Sequence, residues 1–259
     1  MMDYEQKLLQ HYREDPCRTL PNAFWKTANH MQNSRLSIRR DDSGRLSALA
    51  LWREAHLMAL WTGNPNDHPL SPRQVSQVPF ALVHDRALSI FAKREFSRRE
   101  PYFRLRHQGT IIESTCPTGF VYQNVNTETQ IDAVSELIQA CYQNLAVNSK
   151  TVGEWLNHPV FDPELWIWVI DENTGQPAGL GIAELDWHVP EASLEWIQVL
   201  PHYQQQGLGK AIVAELLRRI PAEIAFTTVA GKADSVVQPE KLYRQCGFTG
   251  SDVWWLLAD

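Results

Sequence analysis

The residues best suited to chemistry lie in one run, Leu194-Glu195-Trp196-Ile197-Gln198-Val199-Leu200-Pro201-His202-Tyr203-Gln204-Gln205-Gln206-Gly207-Leu208-Gly209-Lys210. An apolar strand enters a turn of amides and glycines, and the turn opens directly into an amphipathic helix. Such a helix start aims several unpaired backbone N–H groups at one point, where the helix dipole also favours negative charge. That arrangement suits a pyrophosphate. Glycine at 207 and 209 is expected to let the backbone approach the phosphates with no Cβ in the way. Two other phosphate motifs fail on spacing. A dinucleotide fingerprint needs a third glycine where Ile212 stands, and a P-loop needs Ser or Thr where Ala211 follows Lys210.

A second run, Leu242-Tyr243-Arg244-Gln245-Cys246-Gly247-Phe248, follows towards the C-terminus. Pro239 reads as the start of a short helix and Gly247 as its stop. Gln204-x-x-Gly207-x-Gly209 after a strand ending Val-x-Pro resembles the coenzyme A loop of the GNAT N-acetyltransferase superfamily. Leu-Tyr-x-x-x-Gly-Phe is similar to the signature that closes it. One position departs from the pattern: many relatives carry Asn seven residues before the tyrosine, where this chain has Val236.

The resemblance implies a fold and a set of roles. The expected class is α/β (α+β) with a mixed sheet, a GNAT acyl-CoA N-acyltransferase fold preceded by a small α+β domain. Acetyl-CoA would be the cosubstrate, without a metal. Ile197, Val199, Gln204, Gln205, Gln206, Gly207, Leu208, Gly209 and Lys210 would bind it. In the family the strand before the turn splays from its neighbour, and the Val199 N–H would donate to the thioester carbonyl. Glu195 is the first candidate for the base that deprotonates an ammonium, with Glu184 and Asp186 behind it. Tyr243 would protonate the departing thiolate, since a phenol of pKa ~10 holds its proton where a thiol of ~8.5 loses it. Cys246 as an acyl-carrying nucleophile and His188 as a catalytic histidine are weaker alternatives.

Elements that would position these groups can be traced along residues 119–259. Apolar runs give strands near 119–126, 165–170, 176–187, 194–199, 224–229 and 248–256, with Gly179 and Gly181 breaking the third. Ile131, Val134, Leu137, Ile138 and Cys141 recur at helical spacing behind a Thr127/Gln130 capping box. A further helical piece covers 151–156, and Leu208, Ile212, Leu216 and Ile220 share one helix side. The stretch 141–161, with Trp155, and the Trp187-His188 turn would shape the acceptor pocket, and their aromatic character hints at a small, partly apolar amine.

Residues 1–118 carry neither motif and read as an accessory α+β domain. A helix is expected near 4–12, a three-stranded meander over 36–40, 46–52 and 56–61, and a helix over 74–85 despite Pro79. Trp52 and Trp61 are large enough to anchor this module on the second domain. Lys93, Arg94, Arg98, Arg99, Arg104, Arg106 and His107 form a basic cluster, either a solvated face or a contact for an anion.

Composition bounds the class. The chain has 259 residues, 44% hydrophobic and 21% charged, enough for a full core and one or two domains. A net charge of −6 speaks against a nucleic-acid partner. No 18-residue apolar run or signal layout appears, so no membrane partner and a cytoplasmic location are expected. The four cysteines, Cys17, Cys116, Cys141 and Cys246, lack metal or disulfide spacing. Two functions remain open: an N-acetyltransferase acting on a small-molecule or peptide amine, or a non-catalytic acyl-CoA-binding or interaction protein that keeps the fold. A homodimer is left open.

Overall fold

The computed structural model describes residues 3–29, 34–109, 113, 115–142 and 145–259. They form two compact units. The first comprises the described residues within 1–106, 230–240 and 249–259, and the second those within 107–229 and 241–248. In chain order the elements are α1 (Asp3–Glu14), α2 (Pro16–Thr19), α3 (Phe24–Ala28), β1 (Ser34–Arg40), β2 (Leu46–Arg53), β3 (His56–Thr62), α4 (Pro72–Gln77), β4 (Phe80–His84) and β5 (Arg98–His107). They continue with β6 (Phe120–Asn124), α5 (Ile131–Cys141), α6 (Ser149–Trp155), β7 (Trp166–Asp171), β8 (Gln176–Asp186), β9 (Glu191–Val199), α7 (Leu208–Arg219), β10 (Phe226–Lys232), α8 (Pro239–Gln245) and β11 (Thr249–Ala258). The class is mixed α/β. Among the described residues no helix is long and apolar enough to cross a membrane.

In the first unit the period-2 alternation of 34–62 folds as the expected antiparallel meander, β1 on β2 on β3. The expected helix over 74–85 does not form. Val78, the residue before Pro79, is extended (ψ 120°) and ends α4, because a proline ring crowds a helical predecessor. The chain then runs into β4, which pairs in parallel with β3. The last strand, β11, lies antiparallel between β4 and β5 in this unit, whereas the sequence reading grouped it with the elements of 119–259. Trp52 is buried with Leu57, Leu60, Val83 and Phe91 in the unit's own core. The basic cluster is not one patch. Arg104 is buried and donates to the Tyr12 hydroxyl at 2.7 Å, Arg98 pairs with Glu100, and Arg94 pairs with Asp259.

In the second unit β6, β7, β8 and β9 are antiparallel in that order, and Phe226–Val229 of β10 run parallel to β9. The expected break at Gly179 and Gly181 is absent: β8 is continuous from Gln176 to Asp186. The glycines serve α7 instead. A Cβ at Gly181 would lie 2.4 Å from Ile212 Cγ2 and 3.1 Å from Leu216 Cδ1, so the missing side chains let the helix descend onto the sheet. On the other face α5 and α6 cover Trp166, Trp168, Leu180 and Ile182. The Thr127/Gln130 capping box is also absent. Gln130 is itself the N-cap of α5 without a side-chain cap bond, and its Oε1 accepts from the Asn126 amide at 2.8 Å.

Gly181→Ala should therefore destabilise the protein by about 1–3 kcal/mol through overpacking. Urea unfolding should show a lower midpoint with an unchanged slope; an unchanged midpoint would show that α7 can lift at no cost.

Candidate active site

The site begins with an irregularity in β9. Ile182 faces Trp196, but the next pair is Ala183 with Leu194, so Glu195 has no partner on β8. This extra residue is a β-bulge, which bends the strand and increases its twist. On the other side, β10 pairs only with Glu191 to Leu194 of β9. Past Leu194 that edge of β9 has no paired strand among the described residues. The Leu200 N–H donates to the Ala178 carbonyl at 3.0 Å, which fixes the parity of the ladder. Residues 196, 198 and 200 turn their backbone groups to β8, and Ile197 and Val199 turn theirs to the open edge. The Val199 carbonyl there accepts from Gln204 Nε2 at 3.2 Å and, weakly, from Cys141 Sγ at 3.7 Å. The Gln204 side chain thus ties the turn to the end of the strand.

The turn is held firmly beneath. Tyr203 donates to Asp171 Oδ2 at 2.8 Å and packs edge-on against Phe120. That hydrogen bond holds the Asp171 carboxyl below its ordinary range. Gln205 (φ 63°) and Gly207 (φ 82°) adopt left-handed conformations that bring the chain into α7. Gly207 is the N-cap of α7 and supplies no side-chain cap. Its carbonyl accepts the first helical bond, from the Ala211 N–H at 3.1 Å, which leaves the amides of Leu208, Gly209 and Lys210 ahead of the ladder. The contrast with α4 is direct: there Ser71 and Gln74 close a capping box over the helix start, and Pro72 removes one donor.

The surroundings of the two glycines differ. A Cβ at Gly207 would meet only Pro117, at 4.0 Å, so this position stays open. A Cβ at Gly209 would lie 3.2 Å from Leu242 Cδ2, so Gly209 lets α8 pack against the start of α7.

Tyr243 on α8 is buried with its ring against Phe248. Burial, then the neighbouring Tyr142, Cys246 and Glu195, push its phenol well above the ordinary value, so it holds its proton at neutral pH. Glu195 is half-buried and accepts from Ser193 Oγ at 2.9 Å. The other two acids are placed differently. Glu184 is buried with His158 Nδ1 3.5 Å away. Asp186 Oδ1 accepts from the amides of His188 and Val189 and so closes the β8–β9 hairpin. Burial pushes the Cys246 and Cys141 thiols up to about 11, which removes the thiolate a nucleophile needs. Val236 is 97% exposed.

Sequence reasoning missed two parts of this arrangement. The bulge at Glu195 left no compositional mark. Tyr142, just past the end of α5, was not singled out. It lies edge-on to Trp196 at 6.2 Å, and its hydroxyl accepts from Gln198 Nε2 at 3.0 Å. The density of aromatics over 141–161 was the available signal.

Residues 131–248 match the family described as Acetyltransferase (GNAT) family. This segment is a GNAT acetyltransferase domain. The chemistry of that family is acyl transfer. No curated protein matches the sequence. Among solved structures, the fold is similar to a GCN5-related N-acetyltransferase from Sphaerobacter thermophilus, with a TM-score of 0.63, 13% identity and coverage of 90% of this chain and 84% of that one. It is also similar to a GNAT-family acetyltransferase from Colwellia psychrerythraea, with a TM-score of 0.62, 12% identity and coverage of 99% and 97%. A tandem GNAT protein from the clavulanic acid biosynthesis pathway gives 0.55, 13% identity, and 99% and 95%. At these identities the likeness concerns the fold.

The state of buried Cys246 and half-buried Cys141 in this GNAT domain is directly measurable. At pH 8, Cys141 and Cys246 should react with iodoacetamide on the order of a hundredfold more slowly than a free thiol, rising only as pH nears 11. Peptide mapping by mass spectrometry reads this; labelling at the rate of glutathione would contradict the assignment.

Proposed function

We propose that the chain is an acetyl-CoA-dependent N-acetyltransferase that moves the acetyl group directly to a primary amine. One observation carries this reading: a β9 edge at Ile197 and Val199 that no strand among the described residues pairs leads, through one turn, to an α7 start that no side chain caps. A pyrophosphate fits the open amides of 207–210, because Gly207 leaves its approach clear and anions are favoured at a helix start. Lys210, in the first turn, adds a positive charge. Ile197 and Val199 offer backbone partners to the amide-bearing arm of the coenzyme, in the manner of an added strand.

The residues then divide the work. The Val199 N–H donates to the thioester carbonyl oxygen and stabilises the negative charge that grows there. Glu195 accepts the proton of the incoming ammonium, which leaves the nitrogen lone pair free to form the N–C bond. As the C–S bond breaks, Tyr243 supplies a proton to the sulfur, and the second proton of the newly bonded nitrogen leaves to restore the phenol, so that neutral amide and thiol are released. Burial keeps Tyr243 protonated across the working pH range, so the proton is present when the sulfur leaves. The alternative, a protein that binds acyl-CoA without turnover, draws on Val236 at the position of the family's asparagine. The buried Tyr243 close to Glu195 favours the enzyme.

Gln206→Glu tests the binding half. Gln206 is exposed, so the protein should stay folded while the added charge faces the pyrophosphate. Calorimetry should show acetyl-CoA affinity falling about tenfold, roughly 1.4 kcal/mol; unchanged affinity would exclude the α7 start as the cradle.

Tyr243→Phe tests the catalytic half. kcat should drop about a hundredfold to ten-thousandfold with acetyl-CoA affinity within a few-fold. Because the folded phenol titrates above its ordinary value, the wild-type rate should show no fall from Tyr243 ionisation as pH rises to 10. Wild-type turnover in the variant would remove the tyrosine from the mechanism, and inactivity of the wild type towards every amine would favour the binding protein.

A further inference from the structure

Beside the amine-accepting end of β9 stands a small aromatic wall. Trp155 of α6 stacks on Trp196 of β9, with ring centroids 5.2 Å apart and planes 18° from parallel. Tyr142 meets Trp196 edge-on, 83° from parallel, and its hydroxyl is fixed by Gln198 Nε2. These rings are not sealed in the core. Tyr142 is 45% exposed, and Trp155 and Trp196 are half-buried. Each therefore pairs a well-anchored side with a side that reaches solvent. Trp196 follows the bulged Glu195 directly in the chain, and both Tyr142 and Glu195 lie near enough to Tyr243 to act on its titration.

Of Glu195, Glu184 and Glu154, two have basic neighbours. Glu195 is a half-exposed carboxylate, Glu184 is buried beside His158, and Glu154 on α6 has Lys150 3.9 Å away. A polyamine or an aminoglycoside would bring several ammonium groups to a place where Glu184 and Glu154 already have basic neighbours. A flat apolar body with a single ammonium matches both features. Ring stacking contributes about 0.5–1.5 kcal/mol beyond area burial, and an ammonium near an indole face gains a comparable amount.

We infer that the acceptor is an arylalkylamine in chemical class, with its ring against Tyr142 and Trp155 and its ammonium at Glu195. This rests on the transferase reading above and narrows its substrate. The test measures amine binding by calorimetry in the presence of coenzyme A, alongside thiol release with acetyl-CoA. The probes are 2-phenylethylamine, 2-cyclohexylethylamine, spermidine and kanamycin. 2-Phenylethylamine should bind at least tenfold tighter than spermidine or kanamycin and several-fold tighter than the cyclohexyl analogue. Trp155→Ala should weaken it about tenfold while the acetyl-CoA Kd stays within twofold. If Trp155→Ala loses acetyl-CoA binding through misfolding, the more exposed Tyr142→Ala decides by the same criterion. A preference for spermidine or kanamycin, or aryl binding indifferent to both variants, overturns the inference with the transferase reading intact. A wild-type protein that does not bind acetyl-CoA at all overturns both.

Discussion

The site depends on one extra residue in a strand. By inserting Glu195 into β9 without a partner on β8, the chain turns the strand at the point where β10 stops pairing with it. Two consequences follow from the same backbone step. The amides of Ile197 and Val199 face an edge that no strand fills, and an acidic side chain is set beside them. An unpaired edge is ordinarily a liability that proteins cover. Here its short length and the Gln204 side chain on the Val199 carbonyl limit it to a few groups.

The second constraint is the start of α7. A helix can satisfy its first donors with its own side chain, as α4 does through Ser71 and Gln74. Gly207 instead provides left-handed geometry and no cap. The packing that holds α7 in place is dense. Gly179 and Gly181 admit Ile212 and Leu216, Gly209 admits Leu242, and Tyr122 donates to the Ala211 carbonyl. At the far end Arg219 donates to Asn124 and to the Glu164 carbonyl, and Glu215 pairs with Arg218 and Arg219, whose hydrogen bonds outweigh its desolvation and keep the carboxyl below its ordinary range. A rigid helix with an open start lets the donors stay aligned without reorganisation.

The motifs in the chain carried the local structure well. Helix α7, the turn before it and Tyr243 on α8 were all legible, because their glycines, proline and apolar spacing state local requirements. The non-local features were not. Which strand pairs with β11 depends on residues more than a hundred positions away, and the bulge at Glu195 depends on how β8 and β10 bracket β9. The extended segment at Val78–Phe80 was hidden by an apolar spacing that suits a helix as well as a strand, although Pro79 was the correct warning. Gly181 reads as a strand breaker and Gly209 as a place for the backbone to approach phosphates, and neither reading shows that both also make room for side chains from another element.

The central claim is that the coenzyme occupies the open edge of β9. Amide hydrogen exchange at single-residue resolution, with and without saturating acetyl-CoA, reads it most directly. The account predicts slowed exchange at Ile197 and Val199, together with the amides of 207–210, and little change at Trp196 and Gln198, which already face β8. Saturated binding that leaves Ile197 and Val199 exchanging as in the free protein would contradict it.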